Sequence, residues 1–183
     1  MRFASYDRAA QSVARAFRDQ SMKYVIPQNG GGDYRPYERY LETVKHIMPA
    51  DLFAFAANFE NFNLSSPNSL HDAWLEEWSI AEVTPPNEKR SKRVIEIRAR
   101  FLGPQHDRHI YLTYRNVGSY TMQNPEEFEM PPTGRVGHGD LLIHELTVVH
   151  EGLFEHELRF SRGTVFSVQF TGFEHRIEII PTT

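Results

Sequence analysis

The chain has 183 residues, 40% hydrophobic and 24% charged, which suits one well-packed core and excludes a disordered or coiled-coil chain. It has no cysteine, which rules out disulfides, thiolate metal sites and a cysteine nucleophile and fits a reducing cytoplasm; no run reaches the roughly 20 apolar residues of a membrane span. A net charge of −4 with a pI near 6.1 offers no general attraction to nucleic acid or anionic lipid, so a charged partner is expected to be basic.

Tyr6, Ala10, Val13 and Phe17 recur at helical spacing and predict an amphipathic helix over residues 5–22. Its Arg- and Ala-rich character is shared with mitochondrial transit peptides, but Asp7 and Asp19 oppose that reading. The segment PQNGGGDYRP breaks the helix, and three consecutive glycines predict a mobile loop. Pro36 suits the first turn of a second helix, with Tyr37, Tyr40, Leu41, Val44 and Ile47 on one face. Pro49 opens a third, where Leu52, Phe55, Ala56 and Phe59 repeat the spacing until NLSSPNS ends it. The expected organisation is a single domain over 1–183, helical over 1–63 and antiparallel β over 64–183.

From Leu70 the apolar period changes to two. Ile95, Ile97, Ala99 and Phe101 alternate with Val94, Glu96, Arg98 and Arg100; Ile110, Leu112 and Tyr114 alternate with His109, Tyr111, Thr113 and Arg115. The turn between these strands is expected over 104–107. Residues 124–139, with three prolines and three glycines, cannot form a strand, and a loop of that length is usually functional or disordered.

The run HELTVVHEGLFEHEL (144–158) invites a metal reading, but its register argues for a hairpin. A two-residue loop at Glu151-Gly152 would place Glu145, Thr147 and His156 among Ile143 and Phe160. A three-residue loop, His150-Glu151-Gly152 with Gly152 left-handed, instead gathers Leu142, Leu146, Val148, Phe154, Leu158 and Phe160 on one face. A second loop of this form, Ser161-Arg162-Gly163, sets Leu158 against Phe166, His156 against Val168 and Phe154 against Phe170. His144 and His156 then become diagonal neighbours on the apolar face, with His175 a candidate third member. The helical zinc signature H-E-x-x-H is excluded, since His144 and His150 lie roughly 20 Å apart in a strand. A mononuclear site from His144, His156 and His175 stays open beside hydrogen-bonded core histidines; the second is the expectation, with no metal and no cofactor assigned.

On the opposite face this register clusters Glu145, Glu155 and Glu157, a repulsion that a binding role would justify. With Glu126, Glu127 and Glu129 from the long loop they form the candidate docking surface for a basic partner; the alternative is a solvated polar face. His71-Asp72 and His138-Gly-Asp140 admit catalytic readings, but a carboxylate orienting a histidine or capping a turn needs no catalysis and is the expectation. Arg98, Arg100, Arg108 and Arg115 with Tyr111 form a small basic aromatic patch, in a chain too acidic for nucleic acid to be the expected partner. No nucleophile elbow, phosphate loop or dinucleotide fingerprint occurs.

The stretch SLHDAWLEEWSI, followed by alternating strands and LLIHELTVVHEGLFEHELRFSRGTVFSVQFTGF, resembles small uncharacterised bacterial proteins over residues 64–180. Some of these families look like immunity proteins of polymorphic toxin systems. The resemblance implies a cytoplasmic protein that neutralises a toxin by binding it, and it carries no catalytic residues. The expected fold is α+β, with N-terminal helices packed on an antiparallel β-sandwich or strongly curved sheet. The expected function is non-enzymatic binding, with no nucleic-acid or membrane partner. The alternatives are a histidine-liganded metalloprotein or metal-dependent hydrolase, and a small-molecule-binding β-sheet domain.

Overall fold

The computed structural model describes residues 22–28, 31–85, 87–124 and 137–181. The helix expected over 5–22 lies outside them except for Met22, which is buried and not helical. The described residues form a mixed α+β fold of antiparallel sheets, and no helix among them is long and apolar enough to cross a membrane.

The glycine-rich segment differs from expectation. Strands β1 (Ile26–Gln28) and β2 (Gly31–Asp33) pair as a short antiparallel ribbon, so the region before residue 64 is not wholly helical. Close approach explains the glycine: a Cβ on Gly32 would stand 2.6 Å from Val25 Cγ1 and 3.1 Å from Ile143 Cγ2.

Helix α1 (Arg35–Val44) has proline in its first turn and buries Tyr37, Tyr40 and Leu41. Helix α2 (Ala50–Ala57) starts after Pro49 and buries Leu52, Phe55 and Ala56. Phe59, expected on the same stripe, falls in a 3-10 turn (Phe59–Asn61) and is exposed. Where the helical rotation ends, three-four spacing no longer predicts which side faces inward.

One four-stranded sheet has the order β10 (Gly172–Ile179), β5 (Arg108–Arg115), β4 (Val94–Leu102), β3 (Trp74–Val83). As the alternation predicts, Ile97, Ala99, Phe101, Ile110, Leu112 and Tyr114 are buried. The second has the order β6 (Ser119–Gln123), β9 (Val165–Phe170), β8 (Leu153–Phe160), β7 (Leu141–His150). Strand β6 is not among the expected strands, although Tyr120 and Met122 alternate with Ser119, Thr121 and Gln123, and all five residues are exposed.

The two sheets share a ribbon. β5 runs into β6 and β9 into β10, and the pairing passes from Arg115↔Gly172 in one sheet to Ser119↔Gln169 in the other. At the bend Asn116 is left-handed (φ 51) and its amide donates to Thr171 Oγ1 at 3.1 Å. At the far edges Trp74 bridges Asp140. There the Leu141 N–H donates to the Ala73 carbonyl and the Asp72 N–H to the Leu141 carbonyl. Backbone bonding thus runs from β7 through β8, the ribbon and β4 to β3 and back, around a core where Trp78 meets Phe166 at 4.8 Å and Tyr114 meets Phe170 at 5.2 Å.

The β7–β8 hairpin adopts the three-residue register: Glu145 opposes Glu157, Thr147 opposes Glu155 and Ile143 opposes Arg159. Next along the chain Phe154, His156 and Leu158 oppose Phe170, Val168 and Phe166. Two positions differ. A bulge between Leu141 and Ile143 sets Leu141, not Leu142, against Phe160, and Leu141 is fully buried. A second irregularity between Val148 and His150 pairs His150 with Leu153, so His150 ends β7 and only Glu151 and Gly152 span the turn, while the pairs beyond it keep the expected register.

Gly152 (φ +79) would meet nothing within 4 Å of an added Cβ. Gly152→Ala therefore tests backbone strain without packing and is expected to lower stability by about 1 kcal/mol, with Gly152→Asn recovering part of it. Equal denaturation midpoints for wild type and Gly152→Ala would refute this turn assignment.

Candidate functional site

The polar residues of the hairpin are drawn inward on both faces. On the core face a chain of hydrogen bonds joins four groups: Tyr114 Oη to His156 Nδ1 (2.8 Å), His156 Nε2 to His144 Nδ1 (3.0 Å), and His144 Nε2 to the Asn61 carbonyl (3.3 Å). A carbonyl can only accept, so His144 carries its proton on Nε2 and accepts on Nδ1. His156 must then donate from Nε2 and accept on Nδ1, where the Tyr114 hydroxyl donates. All four imidazole nitrogens are satisfied with both rings neutral. Burial lowers the His144 pKa to about 4. It also pushes His156 down, helped by His144, and drives the Tyr114 hydroxyl up. His144 stacks on Phe62 at 4.6 Å, and Phe55 lies 5.9 Å from His156.

His175 does not join the relay. It sits on β10 in the other sheet, its ring 4.9 Å from Phe55, whose own ring lies 6.0 Å from His144. Phe55 thus touches both His175 and the pair, and His175 makes no hydrogen bond to either histidine of the relay. For His144 or His156 to bind a metal, a lone pair now engaged in a hydrogen bond would have to be surrendered, stranding a buried donor. Among the described residues no three or more His, Asp or Glu side chains are grouped to hold a metal ion. The donor set fits a closed hydrogen-bond relay better than a metal centre.

The acidic face is not the solvent-exposed cluster expected from the pairing. Glu145 is buried at 3% exposure. Its Oε1 accepts the Lys23 N–H at 2.6 Å and its Oε2 the Tyr24 and Val25 N–H groups, both at 2.9 Å. Three backbone donors offset the opposition to Glu157, and Arg159, also buried, pairs with Glu157 at 2.6 Å. Glu155 is half-buried and accepts from Ser167 at 2.7 Å. The surface proposed from Glu145, Glu155 and Glu157 is thus mostly internal, because alternation assigns faces but not which segment covers them. Glu126, Glu127 and Glu129 lie outside the described residues.

Helix α1 completes this cover. The Tyr37 hydroxyl donates to the Leu146 carbonyl and accepts from the Leu146 N–H, both at 2.9 Å, and the Tyr40 hydroxyl accepts the Val148 N–H at 2.7 Å. Tyr34, at the preceding three-residue step, turns its hydroxyl to the His144 backbone. The spacing YRPYERY was legible only as an apolar stripe, although it also presents hydroxyls in a row beside a strand edge.

The remaining candidates have partners within the fold. His71 is buried with Nδ1 3.1 Å from Asp72, which is left-handed (φ 62) as a turn requires. His138 lies 3.2 Å from Thr164 Oγ1, whereas Asp140 accepts from Trp74 Nε1 at 2.6 Å, so that pair is split. The arginine patch is neutralised: Arg98 pairs with Glu96, Arg100 with Glu76 and Glu77, Arg108 with Asp107, and Arg115 with Glu96 and Glu174.

Two predictions follow from this packing. Tyr37→Phe strands the buried Leu146 N–H and carbonyl and is expected to cost about 1–3 kcal/mol in denaturant unfolding, although the ring is retained; a loss within error would refute the edge-capping role. The histidines make stability depend on pH. In the unfolded chain they titrate near 6.5, while the folded pKa of His144 is about 4 and that of His156 is also depressed. The unfolded state then binds more protons as pH falls. Their contribution is complete above 6.5 and declines toward pH 4 by up to about 1.4 kcal/mol per unit per histidine. Glu157, raised by burial, works in the opposite direction. Imidazole NMR signals showing either His144 or His156 charged at pH 6 would contradict the relay.

No protein-family model, curated protein or solved structure matches this chain.

Proposed function

We propose that this chain is a non-enzymatic binding protein of the immunity type, acting in a bacterial cytoplasm by holding a basic toxin. The observation that carries the reading is the outer face of the β3–β4–β5–β10 sheet. Cross-strand register aligns Glu77, Arg100, Tyr111 and Arg176 in one row and Ser79, Arg98, Thr113 and Glu174 in the next. Arg176 lies 4.0 Å over the Tyr111 ring and pairs with Glu178. A hollow of about 340 Å³ opens between Arg98, Tyr111, Arg115 and Arg176. These side chains are already held by ion pairs, so a partner orders few of them on docking. Both signs in fixed rows favour specificity, while the net charge of −4 steers a basic partner. Pairing of each arginine with carboxylate leaves little for a nucleic-acid backbone. In this reading the two four-stranded sheets form the leaves of a sandwich, one leaf offering its polar face and the helices covering the other.

A second reading, binding of a small molecule, is favoured by the cleft of about 550 Å³ where Asp51, Phe55 and Asn61 face Phe173 and His175. The closed relay makes the metalloprotein alternative weaker than either.

The test is a pull-down from the native host, followed by co-expression with any basic toxin it recovers. Glu77→Lys with Glu174→Lys, which reverses the two carboxylates of these rows, is expected to weaken toxin binding at least tenfold by calorimetry and to abolish protection. Glu155→Gln, outside this face, should leave both intact. Unchanged affinity in the double variant would overturn the assignment of the face, and a chain that binds no toxin would overturn the function.

A further inference from the structure

Each four-stranded sheet has two edges, and three of those four are guarded. β7 is closed by the Tyr37 and Tyr40 hydroxyls and by its bridge to Ala73. β3 carries Glu76, Glu77 and Glu82, and β10 carries Glu174, Arg176 and Glu178, charges of the kind that discourage strand addition. β6 differs from all of these. It pairs with β9 on one side, and among the described residues nothing pairs with the other. Its residues Ser119, Tyr120, Thr121, Met122 and Gln123 are all exposed and uncharged, without proline or bulge.

We propose that β6 is a docking edge for β6 of a second copy of this chain, paired antiparallel about a twofold axis through Thr121. The occupant follows from self-complementarity. In this register Ser119 faces Gln123, Thr121 faces Thr121, and Tyr120 faces Met122 of the other copy. Threonine pairs and sulfur–aromatic contacts are favourable across strands, and no like charges meet. Sheet faces are preserved by such an axis. Tyr120 and Met122, which share the row side of Val168 and Phe166 and are 41% and 48% exposed, would extend the two cores into each other. The contact is isologous and closes on itself, so it yields a dimer rather than a fibre. It is independent of the toxin-binding proposal, which uses the other sheet.

The absence of cysteine from the sequence provides a direct test. In antiparallel pairing, residues on the axis have Cα atoms about 4.5–5.5 Å apart, within disulfide range. Full-length Thr121→Cys should oxidise to a covalent dimer under mild conditions, whereas Ser119→Cys, displaced from the axis, should stay monomeric. Wild type should sediment as a dimer at tens of micromolar, and Thr121→Lys as a folded monomer with an unchanged circular dichroism spectrum. The proposal is overturned if wild type sediments as a monomer, if Thr121→Cys fails to cross-link, or if Ser119→Cys cross-links equally well. Should Thr121→Lys not fold, the cysteine pair decides alone.

Discussion

The Glu145 carboxylate, holding the backbone of residues 23–25 while Tyr37 and Tyr40 occupy the outer edge of β7, is the constraint on which the rest of the structure depends. A hairpin at the edge of a four-stranded sheet would ordinarily have one wet face and one open row of N–H and C=O groups. Here both are covered. The carboxylate satisfies three N–H groups that no strand or helix pairs, and the tyrosines satisfy strand groups that no strand reaches. Each polar group lacks a regular partner on its own element and finds one on the other, so the segment before α1 and the edge of β7 stabilise each other mutually.

That cover determines the character of the interior. With α1 and the 3-10 turn held against β7, His144 is enclosed between Phe62 and Phe55 and can reach only His156 and the Asn61 carbonyl. A chain of donors and acceptors running one way through two neutral rings is fully satisfied, which makes it inexpensive to bury. His144, His156 and Glu145, the polar residues that looked most chemical, are engaged in holding the fold together.

The shared ribbon matters for the same reason. Because β5–β6 and β9–β10 bend together at Asn116 and Thr171, one pair of strands serves both sheets, and the bridge at Trp74 and Asp140 closes the opposite side. Closure removes most exposed backbone edge, and β6 is left as the conspicuous uncharged exception.

The sequence by itself determined the elements whose periodicity reflects burial on one side. It settled the strands around Ile97 and Ile110, the two proline-led helices and the hairpin register, because only a left-handed Gly152 brings Leu146, Phe154 and Leu158 to one face. It also placed His144 and His156 within reach of each other. Tertiary structure alone decided what covers the other face. Alternation distinguishes two sides of a strand but is blind to a distant segment folding over the polar one, so Glu145 looked like surface and is core. The same blindness hid the close approach at Gly32, set by Val25 and Ile143 far apart in sequence, and the placement of His175 on the other sheet, outside the relay. These outcomes depend on which backbone donors remain unpaired after the sheets form, a quantity that exists only once the chain is folded.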